Sequence, residues 1–180
     1  NLLITDNFAK LYLLDASNGN LIWKNEHKVF FISQIKVDRD RFYVLDASNI
    51  FTCYSLSNGK KIWEFKGETK LINSQQQTSV IINNENVIFN NSKGEIISLD
   101  KMSGNLNWLT PTIEYGESLQ SFLVKNSDLV LNDNSIYFSN NNNSFFSLDV
   151  NLGLVNWKQS INSYLRPVII DNIVLTISPK

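Results

Sequence analysis

Apolar residues along this chain fall in runs of a few positions, broken at short intervals by Asn, Asp, Ser and Gly, and no stretch keeps the 3.6-residue spacing of an amphipathic helix. Runs such as residues 29–32 and 168–170 are far below the roughly 20 apolar positions that span a bilayer. Short apolar runs bounded by turn formers predict β-strands. They place strands over residues 2–5, 10–15 and 20–24, then 78–83, 87–90, 95–100 and 105–109, then 129–132, 136–139, 145–149 and 154–158, and finally 168–170 and 173–177. The intervening segments, among them Asn84-Glu-Asn, Asn91-Ser-Lys-Gly94, Asp133-Asn134 and the Asn-rich residues 140–144, are short, polar and made of residues that tolerate positive φ, so they read as hairpin turns. Asp38-Arg-Asp40 reads as a charged turn of the same kind, because calcium needs more oxygen ligands than such a turn offers.

One phrase recurs four times: Leu14-Asp-Ala-Ser-Asn-Gly-Asn-Leu-Ile-Trp23, Tyr54-Ser-Leu-Ser-Asn-Gly-Lys-Lys-Ile-Trp63, Leu99-Asp-Lys-Met-Ser-Gly-Asn-Leu-Asn-Trp108 and Leu148-Asp-Val-Asn-Leu-Gly-Leu-Val-Asn-Trp157. Trp follows Gly by four residues each time, and the intervals between successive Trp are 40, 45 and 49 residues. A period of that length with a glycine turn and an aromatic signature marks β-propeller blades. The expected fold is therefore all-β, a single partial propeller of about four four-stranded antiparallel blades. Blade 1 supplies its strands from residues 1–24, blade 2 covers 29–66, blade 3 76–109 and blade 4 121–158, and a fifth begins over 165–178. In each phrase the acid (Asp15, Asp100, Asp149; Ser55 in the second copy) ends a strand and accepts amides of its own turn, and the glycine (Gly19, Gly59, Gly104, Gly153) closes the hairpin in the left-handed region. Trp23, Trp63, Trp108 and Trp157 then point to one sheet face on an outer strand, where each is expected to lie largely buried against the neighbouring blade.

Composition reinforces the β reading: three Ala stand against 26 Asn and 20 Ser, which starves helices and feeds turns. Sixteen Lys+Arg against seventeen Asp+Glu, with no basic run longer than Lys60-Lys61, leave no footprint for nucleic acid. Cys53 is the only cysteine, so no internal disulfide and no thiolate metal site can form, and its place beside Phe51 and Tyr54 makes it a small core residue. His27, the only histidine, stands in the polar run Lys24-Asn-Glu-His-Lys28 and reads as a solvated loop residue. With no Gly-x-Ser-x-Gly elbow and no glycine-rich phosphate loop, hydrolase and nucleotide chemistry fall away. The sequons Asn90-Asn-Ser92 and Asn142-Asn-Ser144 are expected by chance at this Asn content. No catalytic, cofactor-binding or metal-ligating residue emerges. The chain starts without Met on one strand pattern and ends on another, as a piece of a longer protein would.

At the Asp-x-x-x-Gly-x-x-x-Trp phrase the chain resembles the PQQ-binding-like, or quinoprotein dehydrogenase-like, propeller repeat family, over essentially its whole length, with Ser55 the one departure from the acid. The resemblance implies an eight-bladed ring, of which these blades are about half. Catalytic members hold the quinone PQQ under a vicinal disulfide beside a Ca²⁺ and an Asp; Cys53 alone cannot supply that pair. The resemblance therefore points to the non-catalytic branch, the periplasmic propellers of the outer-membrane β-barrel assembly machinery. That branch implies no cofactor, a protein partner in membrane-protein assembly, a periplasmic or cell-envelope location and no membrane span of its own. The alternative is a fragment of a PQQ-dependent dehydrogenase. A blade-connecting loop of the branch carries a Leu/Arg contact, which the resemblance carries over to Leu165 and Arg166 in Ser163-Tyr-Leu-Arg-Pro167, a pairing enriched at protein interfaces. A half ring leaves apolar faces at both ends, so the expectation is a homodimer or a ring-closing crystal contact in which the strand over 168–170 completes the partner's first blade, the alternative being an open half ring shielded by looser packing.

Overall fold

Short strands joined by left-handed turn residues lay the chain out as a run of up-and-down antiparallel sheets. The computed structural model describes residues 1–68, 77–113 and 125–178; the expected starts of blades 3 and 4, at residues 76 and 121, lie outside the described residues. The first sheet holds β1 (Leu2–Thr5), β2 (Lys10–Leu14) and β3 (Leu21–Glu26). The second holds β4 (Lys36–Asp38), β5 (Arg41–Leu45), β6 (Ile50–Ser55) and β7 (Lys61–Lys66). The third holds β8 (Val80–Asn83), β9 (Asn86–Asn90), β10 (Glu95–Asp100) and β11 (Leu106–Pro111). The fourth holds β12 (Val130–Asn132), β13 (Ser135–Asn140), β14 (Ser144–Asp149) and β15 (Val155–Gln159), and β16 (Val168–Ile170) with β17 (Ile173–Leu175) begin a fifth. Within each sheet every strand pairs antiparallel with the next in sequence, the meander of a propeller blade.

Turn chemistry explains the regularity. Arg39, Asn84, Asp133 and Asp171 all adopt positive φ in the first hairpin of a sheet, Asn49, Gly94 and Asn143 do so in the second, and Ala9 does so between β1 and β2. Asn and Asp tolerate this region because the short polar side chain bonds locally. Strand limits differ from the sequence expectation at several ends for identifiable reasons. Asp15 lies one residue beyond the end of β2, where its carboxylate accepts the Ser17 amide. Thr78 makes an isolated parallel bridge to Ser33 instead of extending β8. Strand β11 runs on to Pro111, tolerated at the outer edge where a missing N–H breaks no ladder. Strand β17 stops at Leu175 because the following residues tie back to the preceding loop: Ser163 Oγ donates to the Ile177 carbonyl at 2.7 Å, and Thr176 Oγ1 lies 3.0 Å from Ser163 Oγ.

The core lies between blades, not within them. Alternation sends Tyr43, Leu45, Phe51 and Cys53 of the second sheet against Val80, Val87, Phe89, Ile97 and Leu99 of the third. There Phe51 and Phe89 stack with ring centroids 4.0 Å apart. Residues of the opposite face, Phe42, Val44 and Tyr54, meet Leu11 of the first sheet. Ile88 and Ile96 meet Ile136, Phe138, Phe146 and Leu148. Middle strands such as β6 and β10 are accordingly buried on both faces, whereas β15 is exposed at every residue. Polar ties cross the same boundaries. Asp38 does more than close a turn, since its carboxylate lies 3.0 Å from the ammonium of nearly buried Lys101 in the next blade, and Arg41 Nη1 donates to the Met102 carbonyl at 3.0 Å.

Candidate functional site

Each repeated phrase folds into the same corner. The amide of Gly104 donates to the Asp100 carbonyl at 2.8 Å, and the matching bonds, Gly19 to Asp15, Gly59 to Ser55 and Gly153 to Asp149, measure 2.8 to 2.9 Å. A register shift falls at the same point in each blade, as between Ser98 and Leu99. The acids cap their turns. Asp100 Oδ1 accepts from the Ser103 amide and hydroxyl, both at 2.7 Å, and Asp15 Oδ1 from the Ser17 amide at 2.8 Å and hydroxyl at 2.6 Å. The Ser103 donors hold the Asp100 carboxyl below the ordinary carboxylate range, and those of Ser17 do the same for Asp15. Asp149 Oδ1 accepts from the Asn151 and Leu152 amides at 2.8 Å. Ser55 offers only a hydroxyl contact to Ser57, so the second corner lacks the charge-assisted bonds.

These corners are seats for the preceding blade's indole. Trp23 Nε1 donates to the Leu56 carbonyl at 2.9 Å, Trp63 Nε1 to that of Lys101 at 3.3 Å and Trp108 Nε1 to that of Val150 at 3.2 Å, and each acceptor directly follows the capping residue. The rings lie flat against the glycine. A Cβ added to Gly104 would stand 2.6 Å from Trp63 Cε3, and one added to Gly153 2.5 Å from Trp108 Cδ2. Glycine is thus required twice over, for its positive φ and for the indole that covers it. Trp157 differs from the other three. Those are partly buried, while Trp157 is 38% exposed, its ring lying against Phe145 and Tyr137 of its own blade, and no glycine corner faces it among the described residues. The expectation that all four indoles lie largely buried between blades is corrected at this position.

The loop before β16 is pinned at both ends and open between them. Ser163 is fully buried, donates its amide to the Asn140 carbonyl at 3.2 Å and accepts the Leu165 amide at 3.3 Å; Pro167 is buried as well. Tyr164, Leu165 and Arg166 project into solvent between these anchors, with Leu165 43% exposed and the Lys125 ammonium 5.6 Å from the Tyr164 ring. Leu165 lies outside the strand, which starts at Val168.

His27 is not a solvated loop residue. Its Nε2 lies 2.9 Å from Oδ2 of buried Asp46, its Nδ1 2.8 Å from the Tyr54 hydroxyl, and its ring stacks on Phe31 at 5.0 Å between centroids. Burial pushes the Tyr54 phenol up to about 12. The histidine therefore joins the first sheet to the second. Nothing in its local sequence signals this, since its partners lie 19 and 27 residues away. Cys53 is fully buried, and burial pushes its thiol up to about 11. As the only cysteine, and sealed between sheets, it does not fit the vicinal pair a PQQ site would use.

Two outcomes follow from this geometry. Trp108→Ala should lower the free energy of urea unfolding by roughly 3–5 kcal/mol, the usual cost of truncating a large packed aromatic; a change of a few tenths would mean that the indole does not hold adjacent blades together. The Cys53 thiol should resist an aromatic disulfide reagent at pH 8 until the chain unfolds. Rapid stoichiometric labelling of the native protein would contradict its burial.

Comparison with known proteins places this architecture. BamB from Moraxella catarrhalis superimposes with a TM-score of 0.79 at 16% identity, over 96% of this chain and 53% of that one. The computationally designed Ika8 protein gives 0.71 at 9% identity, over 96% and 50%. Quinohemoprotein alcohol dehydrogenase from Comamonas testosteroni gives 0.67 at 13% identity, over 96% and 37%. At these identities the likeness is one of fold, and the chain spans about half the length of the first two structures. No protein of curated function matches the sequence. The family described as outer membrane protein assembly factor BamB matches residues 1–180 in full, and the chain belongs to that family.

Proposed function

We propose that this chain is a non-enzymatic protein-binding scaffold that works in outer-membrane protein assembly in the periplasm or cell envelope, and that the loop over residues 163–167 holds its protein partner, a membrane-protein assembly factor. Family membership supports the assembly role. The observation that carries the binding surface is the loop itself, where an exposed aromatic, an exposed leucine and an arginine stand side by side on a segment anchored at Ser163 and Pro167. Preorganisation of this kind lowers the entropy lost on binding, and apolar, aromatic and Arg side chains are the anchors that dominate interfaces. No group of the described residues is assigned a catalytic role.

The double substitution Leu165→Glu, Arg166→Glu changes only exposed side chains and should leave thermal unfolding unchanged. It should weaken binding to the purified β-barrel assembly component of the same envelope at least tenfold, measured by titration calorimetry. Undiminished binding would remove the loop from the interface, and no binding by the parent chain would remove the assembly reading. Incubation with PQQ and Ca²⁺ followed by desalting should leave no quinone absorption; stoichiometric retention would favour the dehydrogenase reading.

A further inference from the structure

The second corner differs from the other three in its chemistry. Asp15, Asp100 and Asp149 each hold a turn amide through a carboxylate, whereas Ser55 makes a hydroxyl contact to Ser57 at 2.9 Å. The residue before the turn glycine is Asn in the first and second corners, Ser103 in the third and Leu152 in the fourth. In an Asn-Gly pair the backbone nitrogen of the glycine can close on the side-chain carbonyl carbon of the asparagine, because no Cβ on the second residue hinders the approach. Asn18-Gly19 is one such pair, but there Asp15 clamps the turn through the Ser17 amide and hydroxyl. Asn58-Gly59 is the pair without a carboxylate clamp.

The bonds around Asn58 favour this closure. Its Oδ1 accepts the Lys60 amide at 2.9 Å, which folds the side chain back over the Gly59 peptide and sets an N–H donor on the oxygen where negative charge develops during attack. Asn58 is exposed, so water reaches its carbonyl. One bond opposes the reaction: the Gly59 amide donates to the Ser55 carbonyl at 2.8 Å, and its nitrogen must leave that bond to attack. A carboxylate at position 55 would hold the turn shut, and Ser55 does not supply one.

We propose that Asn58 is a self-modification site, at which the Gly59 nitrogen closes on Asn58 Cγ and the residue is converted mainly to isoaspartate. The Gly59 nitrogen gives its proton to water as the new N–Cγ bond forms. The Cγ–Nδ2 bond then breaks, and ammonia leaves with a proton taken from water, so that a cyclic imide remains. Water opens the imide at one of its two carbonyls and yields aspartate or isoaspartate; no oxidant or cofactor is consumed. The product matters because this corner is a seat. A Cβ built on Gly59 would stand 2.7 Å from Trp23 Cζ3, and the Asn58 carbonyl accepts Asn25 Nδ2 at 3.1 Å. Isoaspartate turns that carbonyl into a free carboxylate and links Gly59 through Cγ, with one more methylene in the main chain. Both contacts are displaced, and the joint between the first and second sheets loosens. The 163–167 loop takes no part in this.

Peptide mapping by mass spectrometry, on the folded chain stored for weeks in mildly alkaline buffer, tests the proposal. Conversion of amide to acid at Asn58 is expected, with most of the product labelled by an isoaspartate-specific methyltransferase. Ser55→Asp, which supplies the missing carboxylate, should slow the conversion roughly tenfold, the weight of a hydrogen bond to a charged acceptor. Asn58→Ser, the residue the third corner uses at that place, should abolish it. The converted fraction, separated by ion exchange, should unfold at lower urea than the unconverted chain. The proposal is overturned if Asn58 stays intact in the folded chain while the urea-unfolded chain converts, if Ser55→Asp leaves the rate unchanged, or if the converted fraction is as stable as the parent.

Discussion

The seating of an indole on the glycine corner of the next blade is the constraint on which the rest of this structure depends. A four-stranded meander has two apolar faces and cannot keep both from water alone. Here the faces are covered by neighbouring sheets, as Phe51 on Phe89 shows, but flat apolar faces alone do not fix how far one sheet slides over another. The indole does. Its ring fits only where the facing residue has no Cβ, and its N–H reaches only the carbonyl that follows the capping residue, so one apolar and one directional interaction meet at one place.

The corner in turn depends on local chemistry. Asp100 holds its turn through the Ser103 amide and hydroxyl, which leaves Gly104 in the left-handed region and the Lys101 carbonyl turned toward Trp63. Lys101 then adds its ammonium to Asp38 of the previous blade, so the same residue serves the turn, the indole and an ion pair. This arrangement recurs with small variations, Ser55 replacing the acid once, and tolerates them because the glycine and the indole remain. A surface assembled from such rigid units can present a loop such as 163–167 in a set position, which is what a binding scaffold needs.

The blades were legible in the sequence because their determinants are local: turn residues a few positions apart, alternation of two, and a phrase of ten residues that repeats. The capping role of Asp15, Asp100 and Asp149 could be read for the same reason. What could not be read is what depends on residues distant in sequence. His27 looks like a loop histidine until Asp46 and Tyr54 are brought to it from the next blade. The glycines advertise their backbone conformation but not the ring that lies over them, which comes from about 40 residues earlier. Trp157 holds the same place in its phrase as Trp108, yet among the described residues no glycine corner faces it. Leu165 could as well have entered the strand; the buried Ser163 and Pro167 decide that it projects.

The most direct measurement compares two glycines with the same backbone conformation and different surroundings. Gly104 and Gly19 share a positive φ, so replacing either by Ala incurs the same backbone strain, but only Gly104 lies under an indole. Urea unfolding of Gly104→Ala and Gly19→Ala should show Gly104→Ala to be the more costly by roughly 1–3 kcal/mol, the usual cost of overpacking. Equal losses at the two positions would contradict indole seating as the interaction that sets the blades in register.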